Sequence, residues 1–277
     1  MPLVQSTPLP EFENPPIDEV AISVEFVPLS GWQMPHAGLY WARIKDRYPH
    51  TEVHPPLGPS PELPGGDSFQ FAPPRFELVL PKSNRMWFIS EDKVDVIQVQ
   101  SDRFVMNWRK VAGDEVYPRF DNGIRPRFER EWGEFKRFVK ENALGNIEIK
   151  NFEISYVNHI VKGREWNTVE EAMGYFSYIN KNVDMKFLPS VETMNLTGSF
   201  RMPSNKGALS FAILHALRQR DKREIIQFTL TARGKSISSS DEDQMEWICS
   251  GRECIVRGFA DLTTSEAHKL WRRVENG

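Results

Sequence analysis

Two cysteines in 277 residues, Cys249 and Cys254, are too few for a disulfide framework or a cysteine-built zinc site. They stand five apart in a run with helical character, so the two thiols lie on different faces of it. Such sparing use fits a reduced, cytoplasmic setting. No apolar run approaches membrane-spanning length, and "MPLVQSTPLPEFENPP" has neither a basic nor an apolar leader segment. An excess of positive charge is missing too. Residues 1–145 carry 17 Lys and Arg against 21 Asp and Glu, and residues 146–277 carry 18 against 17, so neither half can neutralise phosphates broadly. Glycine-rich phosphate loops, nucleophile elbows, paired-cysteine motifs and kinase signatures are all absent. These absences point away from the familiar chemistries, and no cofactor is implied.

What is present is bulk for a core. Apolar residues make up 40% of the chain, with 18 Phe and 8 Trp, and each aromatic removes a large apolar area from water. The first 16 residues hold five prolines and read as an extended lead-in. "IDEVAISVEFVPL" alternates, with Val20, Ile22, Val24 and Phe26 on one face, as a half-buried strand does. "HAGLYWARIKDRYP" has helical spacing and ends at Pro49. Residues 53–74 are rich in proline and glycine and read as a long loop. Three strands are expected next: "RFELVLP", "RMWFISED", and "DVIQVQSDRFVMNWRK" as a hairpin turning at Ser101-Asp102. The helix "IRPRFEREWGEFKRFVKENALG" follows, with Phe128, Trp132, Phe135 and Phe138 on one face and Gly145 at its end.

The same order then returns. "NIEIKNFEISYVNHI" is a strand, and "TVEEAMGYFSYI" is a helix capped by Thr168 with Glu171. "SVETMNLTGSFRM", "GALSFAILHAL" and "EIIQFTLTARG" are strands joined by short turns. Two helices close the chain, the second capped by Thr263 with Glu266. The expectation is an α+β fold built by internal duplication: a lead-in (1–16), a first half (17–145) and a second half (146–277) packed as one unit. Short connections imply mostly antiparallel pairing. The two halves would share one curved sheet with helices on one side, a topology that resembles TATA-binding-protein-like folds. That likeness says nothing by itself about DNA.

Few residues carry candidate chemistry. His50 and His54 have the i, i+4 spacing of helical metal ligands, but Pro49 and Pro55 flank them, which argues for loop histidines and no metal. His159 in "YVNHI" faces the polar side of its strand, where it is a structural histidine or a base lacking a local partner. In "DRFVMNWRK", Phe104, Met106 and Trp108 form the apolar set; Asn107 and Arg109 belong to the opposite face. Thr231 and Arg233 occupy matching places in the second half, and Arg201 continues the pattern on another strand. With Asn158 and His159, these form either a wet sheet surface or a concave surface for a partner. "LRQRDKRE" gathers Arg218, Arg220, Lys222 and Arg223 at a turn, as a solvated tip or a phosphate contact.

Four blocks taken in order resemble a known family: "PLPEFENPPIDEVAISVEFVPL", "VIQVQSDRFVMNWRK" with "YPRF" behind it, "ISYVNHI", and "IVRGFADLTTSEAHKLW". Together, over about residues 9–273, they are similar to the TIGR04255 family of sporadically distributed bacterial proteins. The loop at 53–74 and the turn at 218–223 have no counterpart in the likeness. The resemblance supplies no catalytic residues; the family's patchy distribution implies mobile or defence-linked loci. The expected function is therefore non-enzymatic: a protein-interaction module whose open sheet face or exposed strand edge docks a partner protein. The alternative is a nucleic-acid binder using the same face and the basic tip.

Overall fold

The computed structural model describes residues 8–58, 84–179, 186–236 and 238–274. At its centre is one open antiparallel sheet of nine strands, in the order β3-β4-β5-β6-β2-β7-β10-β9-β8. The strands are β2 (Ile17–Phe26), β3 (His50–His54), β4 (Arg85–Ile89), β5 (Asp95–Gln100), β6 (Arg103–Arg109), β7 (Ile149–Val161), β8 (Asn195–Arg201), β9 (Gly207–Leu217) and β10 (Glu224–Gly234). A two-stranded ribbon, β1 (Glu11–Phe12) with β11 (Arg273–Val274), ties the lead-in to the far end of the described chain. Every strand pair is antiparallel, as the short connections require.

The order reads outward from the β2/β7 seam. Each of these strands opens a run of strand, helix, further strands and helix, and each has the last strand of its own run as its outer neighbour: β6 beside β2, β10 beside β7. β3 is an additional outermost strand on the first side. "RFELVLP", expected as a strand, and most of the Pro/Gly-rich segment lie outside the described residues. His50 and His54 do not sit in a loop. They fall on β3, an edge strand paired with β4, and the flanking prolines bound a strand rather than a helix.

Alternation decides which side of the sheet is core. Val20, Ile22, Val24, Phe104, Met106, Trp108, Phe152, Ile154, Ile226, Phe228 and Leu230 are all essentially buried. They share one face, because cross-strand partners match: Val20 with Trp108 and Tyr156, and Leu230 with Tyr156 and Phe211. The helices cover this face. α1 (Met34–Ile44) brings Tyr40 against Phe88, Phe135 and Phe138, and α2 (Arg125–Glu141) brings Trp132 and Phe135 onto Phe104. α4 (Asp241–Leu262) packs against β7, β10 and β9, with Trp247 stacked on Phe152. Trp132 Nε1 donates to Gln244 Oε1 at 3.1 Å, joining α2 to α4 inside the core.

The caps follow from local chemistry with two adjustments. Thr168 accepts from the Glu171 amide as expected, but α3 ends after one turn and spans only Val169–Met173, with Gly174 behind it. α5 (Ser265–Leu270) is capped by Thr264, whose hydroxyl accepts from the Ala267 amide. The neighbouring Thr263 instead donates to the Phe259 carbonyl at 2.6 Å and finishes α4. With two threonines in tandem the cap falls one residue later than the sequence pattern places it. Ahead of α2, Phe120–Ile124 forms a π-turn entered through Arg119 at a positive φ of 63°.

Candidate functional site

The structure divides the residues expected to share one surface. Asn107 is buried rather than open. It accepts from Gln98 Nε2 at 2.7 Å and donates to Glu19, in a ladder that Arg85 extends by donating to Gln98 Oε1 at 2.9 Å. Burial raises the Glu19 carboxyl above its ordinary range, against the hydrogen bond from Asn107 and the charge of Arg109. Arg109 donates to the Lys93 carbonyl and lies 5.5 Å over the Trp87 ring. The short stretch at Leu57 and Gly58 crosses this part of the sheet, exchanging hydrogen bonds with Gln100 and accepting one from Arg103.

On the second side of the same face, Thr231 pairs with Ser155 through their hydroxyls at 2.8 Å, and Arg233 is held by Glu153. Arg201, on β8, is exposed. Asn158 lies on the opposite side of the sheet from His159. It is fully buried on the helix side, donates to the Phe228 carbonyl at 3.0 Å, and lines a cavity of about 300 Å³ with Tyr117, Tyr156 and Arg252. Neighbouring residues of a strand must diverge, so Asn158 and His159 cannot serve one surface.

The basic tip also splits. Arg218 makes a bidentate pair with Asp221, and Lys222 and Arg223 stay at the exposed turn. Arg220 turns back to the β2/β7 seam. There its two terminal nitrogens hold Asp18 Oδ1 at 2.6 Å and Oδ2 at 3.0 Å, and Nη1 also donates to the Lys110 carbonyl. His159 Nδ1 lies 3.1 Å from Asp18 Oδ2. Asp18 occupies this place because the β2/β7 register shifts between Ile17 and Glu19, which leaves Asp18 unopposed at a bulge. Burial alone would raise the Asp18 carboxyl; the adjacent His159 ring and the Arg220 hydrogen bonds outweigh it and hold the group below its usual range.

Around this triad opens a cleft of about 440 Å³ at the ends of the central strands, drawing residues from both halves of the chain. Its other charged walls include Lys110, Glu115, Arg164 and Glu165. Glu115 accepts from the amides of Val111, Ala112 and Gly113. Burial acts against it, yet these amide donors bring the carboxyl down to about 2. Sequence spacing gives no signal for this site, since Asp18, Lys110, His159 and Arg220 come from four separate segments. Among the described residues no group of three His, Cys, Asp or Glu side chains could hold a metal.

A second feature lies at the opposite edge of the sheet. β8 pairs with β9 and is the last strand in the order, and α4 covers β7, β10 and β9. Beside β8 a groove of about 720 Å³ is lined by Tyr178, Phe200, Met202, Leu209 and Leu262, with Arg201, Lys206, Glu253 and Arg257 among its polar lining. Phe200 stacks on Phe211 at 5.9 Å, and Tyr178 meets both rings edge-on or tilted. Gly198 makes this packing possible: a Cβ there would come within 2.3 Å of the Phe211 ring. Tyr178 is 64% exposed and Phe200 37%.

No family profile, curated protein or solved structure matches the chain. None of its helices, among the described residues, is long and apolar enough to cross a membrane.

Proposed function

We propose that this chain is a protein-interaction module that takes an extended segment of a partner protein along the edge of β8. The observation that carries this reading is the aromatic groove beside an edge strand. An edge strand offers backbone donors and acceptors to an incoming strand, and alternate side chains of that segment would fall towards Tyr178, Phe200 and Leu209. Large aromatics left half in water are the usual anchors of such contacts. The polar face of the sheet supports the reading less well, because Asn107, Thr231 and Arg233 are already occupied by neighbours within the chain. Phosphate-driven docking of nucleic acid on that face would draw on arginines held in the same way: Arg109 by a carbonyl and a ring, Arg218, Arg220 and Arg233 by carboxylates.

The test is selection of binders from a displayed peptide library, followed by backbone amide NMR of the chosen peptide on the intact chain. Shifts should concentrate on residues 195–201, and Phe200→Asp should abolish binding while the chain still unfolds in one cooperative transition. Peptides that bind the variant as well as the wild type, or that shift only the β3 edge, would refute the proposal.

A further inference from the structure

The cleft at the strand ends has a consequence independent of the β8 edge. Its lining carboxylates are mostly satisfied within the protein. Asp18 is taken by Arg220, Glu115 by three amides, and Glu165 by the Val161 amide; among the described residues Asp114 has no partner at the exposed rim. The cationic side is not satisfied in the same way. Among the described residues Lys110 Nζ has no hydrogen-bond or ion-pair partner, although the residue is only part-exposed and lines the cleft. Burial lowers its pKa, and the charges of Arg220 and Arg164 push in the same direction, against Asp18 and Glu115. The Arg164 side chain is 74% exposed and pairs with Glu165 at 3.4 Å. His159 Nδ1 lies 3.1 Å from Asp18 Oδ2 without an aligned hydrogen bond, and Nε2 is the ring's other polar atom.

We infer that this cleft binds a small phosphate-bearing molecule, with Lys110 as the charged anchor, His159 Nε2 as a second contact and Arg164 at the entrance. The geometry favours a tetrahedral oxyanion over a planar carboxylate. Carboxylates are best held by the flat fork of a guanidinium. The forks of Arg218 and Arg220 are already spent on Asp221 and Asp18. Arg119 donates to the Phe12 carbonyl and Arg164 stands at the exposed entrance, so what remains inside the cleft is a compact ammonium and an imidazole nitrogen carried by different elements, the end of β6 and β7. Such separate point donors suit oxygens that diverge from a central atom. The bidentate Arg220–Asp18 pair seats the Asp18 carboxylate 3.1 Å from His159 Nδ1, and in its imidazolium form the ring keeps its Nε2–H for the ligand.

The experiment titrates inorganic phosphate, and separately acetate, into the full chain at constant ionic strength, following the His159 ring resonances and the binding heat. Phosphate should move the His159 signals and bind more tightly than acetate. Lys110→Met should weaken phosphate by about tenfold or more, the weight of one charge-assisted hydrogen bond, while Lys45→Met, outside the cleft lining, changes nothing. Thermal melting of both variants establishes that they are folded. The inference is overturned if the His159 signals are unmoved, if acetate binds as well as phosphate, or if folded Lys110→Met binds phosphate like the wild type.

Discussion

Arg220 grips both carboxylate oxygens of Asp18 across 202 residues of sequence, closing the β2/β7 seam with the turn that follows β9. Asp18 is 8% exposed, so breaking the pair from one side leaves a charge with little water to solvate it. Arg220→Met should therefore cost about 3–5 kcal/mol in urea unfolding, the range for removing one partner of a buried pair. The pH dependence has a defined sign. The folded-state pKa of Asp18 lies below its unfolded value near 3.9, so the stabilisation is complete above about pH 4 and is lost as pH falls further. Arg220→Met should flatten the stability curve in that acid window. A variant with the wild-type acid slope would show that Asp18 is not the group responsible.

Glu115 provides a separate acid-range prediction. Its three amide donors hold the carboxyl near 2, so a 13C-detected titration of its side chain should stay flat through pH 4, where an ordinary glutamate is half protonated. The contribution of those hydrogen bonds to stability is present above about pH 4.5 and disappears only as pH falls through about 2. A midpoint near 4 would mean the 111–113 turn is open in solution.

Trp132 is 3% exposed, lies between Phe26, Phe104 and Phe135, and donates to Gln244. Trp132→Ala should cost about 3–5 kcal/mol, the usual range for deleting a large buried aromatic. Trp132→Phe keeps one six-membered ring in place and loses the donor and part of the indole volume, so its cost should be below that of the alanine variant. Equal costs for the two in denaturant unfolding would place the weight on the hydrogen bond and not on packing.

The apolar half of this architecture was legible in the chain. Alternation along residues 20–26 and 104–108 sets the core face, and the three-to-four spacing of Phe128, Trp132 and Phe135 sets the buried side of α2. The antiparallel sheet and the hairpin at Ser101-Asp102 follow from short connections. The polar arrangements were not legible, for a physical reason. A hydrogen-bonded pair such as Asp18–Arg220 or Asn107–Gln98 depends on which strands become neighbours and on a one-residue bulge, and neither is written in local spacing. Grouping Asn158 with His159 is a different miss: their opposite parity is already written in the alternation of residues 152–159. Nor does composition distinguish Arg220, which turns inward, from Lys222 and Arg223 two or three residues on.

Glu131 tests how the α1–α2 junction manages a buried charge. Its side chain is fully buried, accepting from Arg47 at 3.0 and 2.9 Å and from Arg130 at 2.7 Å, whereas the Arg47 and Arg130 side chains are 38% and 53% exposed. The two sides of this cluster are therefore unequal. Without Glu131 the arginines can swing out to water; without the arginines the carboxylate has nowhere to go. The Arg47→Met, Arg130→Met double variant should lose about 3–5 kcal/mol, the penalty of a buried charge left alone. Glu131→Leu should fall within about 1–2 kcal/mol of the wild type, because an apolar side chain of similar reach fills the site and the desolvation cost of the ion disappears. Combining all three substitutions should recover most of the loss suffered by the arginine variant, and urea unfolding of the four proteins measures the coupling directly. If Glu131→Leu proves as damaging as the arginine pair, the ion cluster contributes net stability to the junction and the asymmetry argument fails.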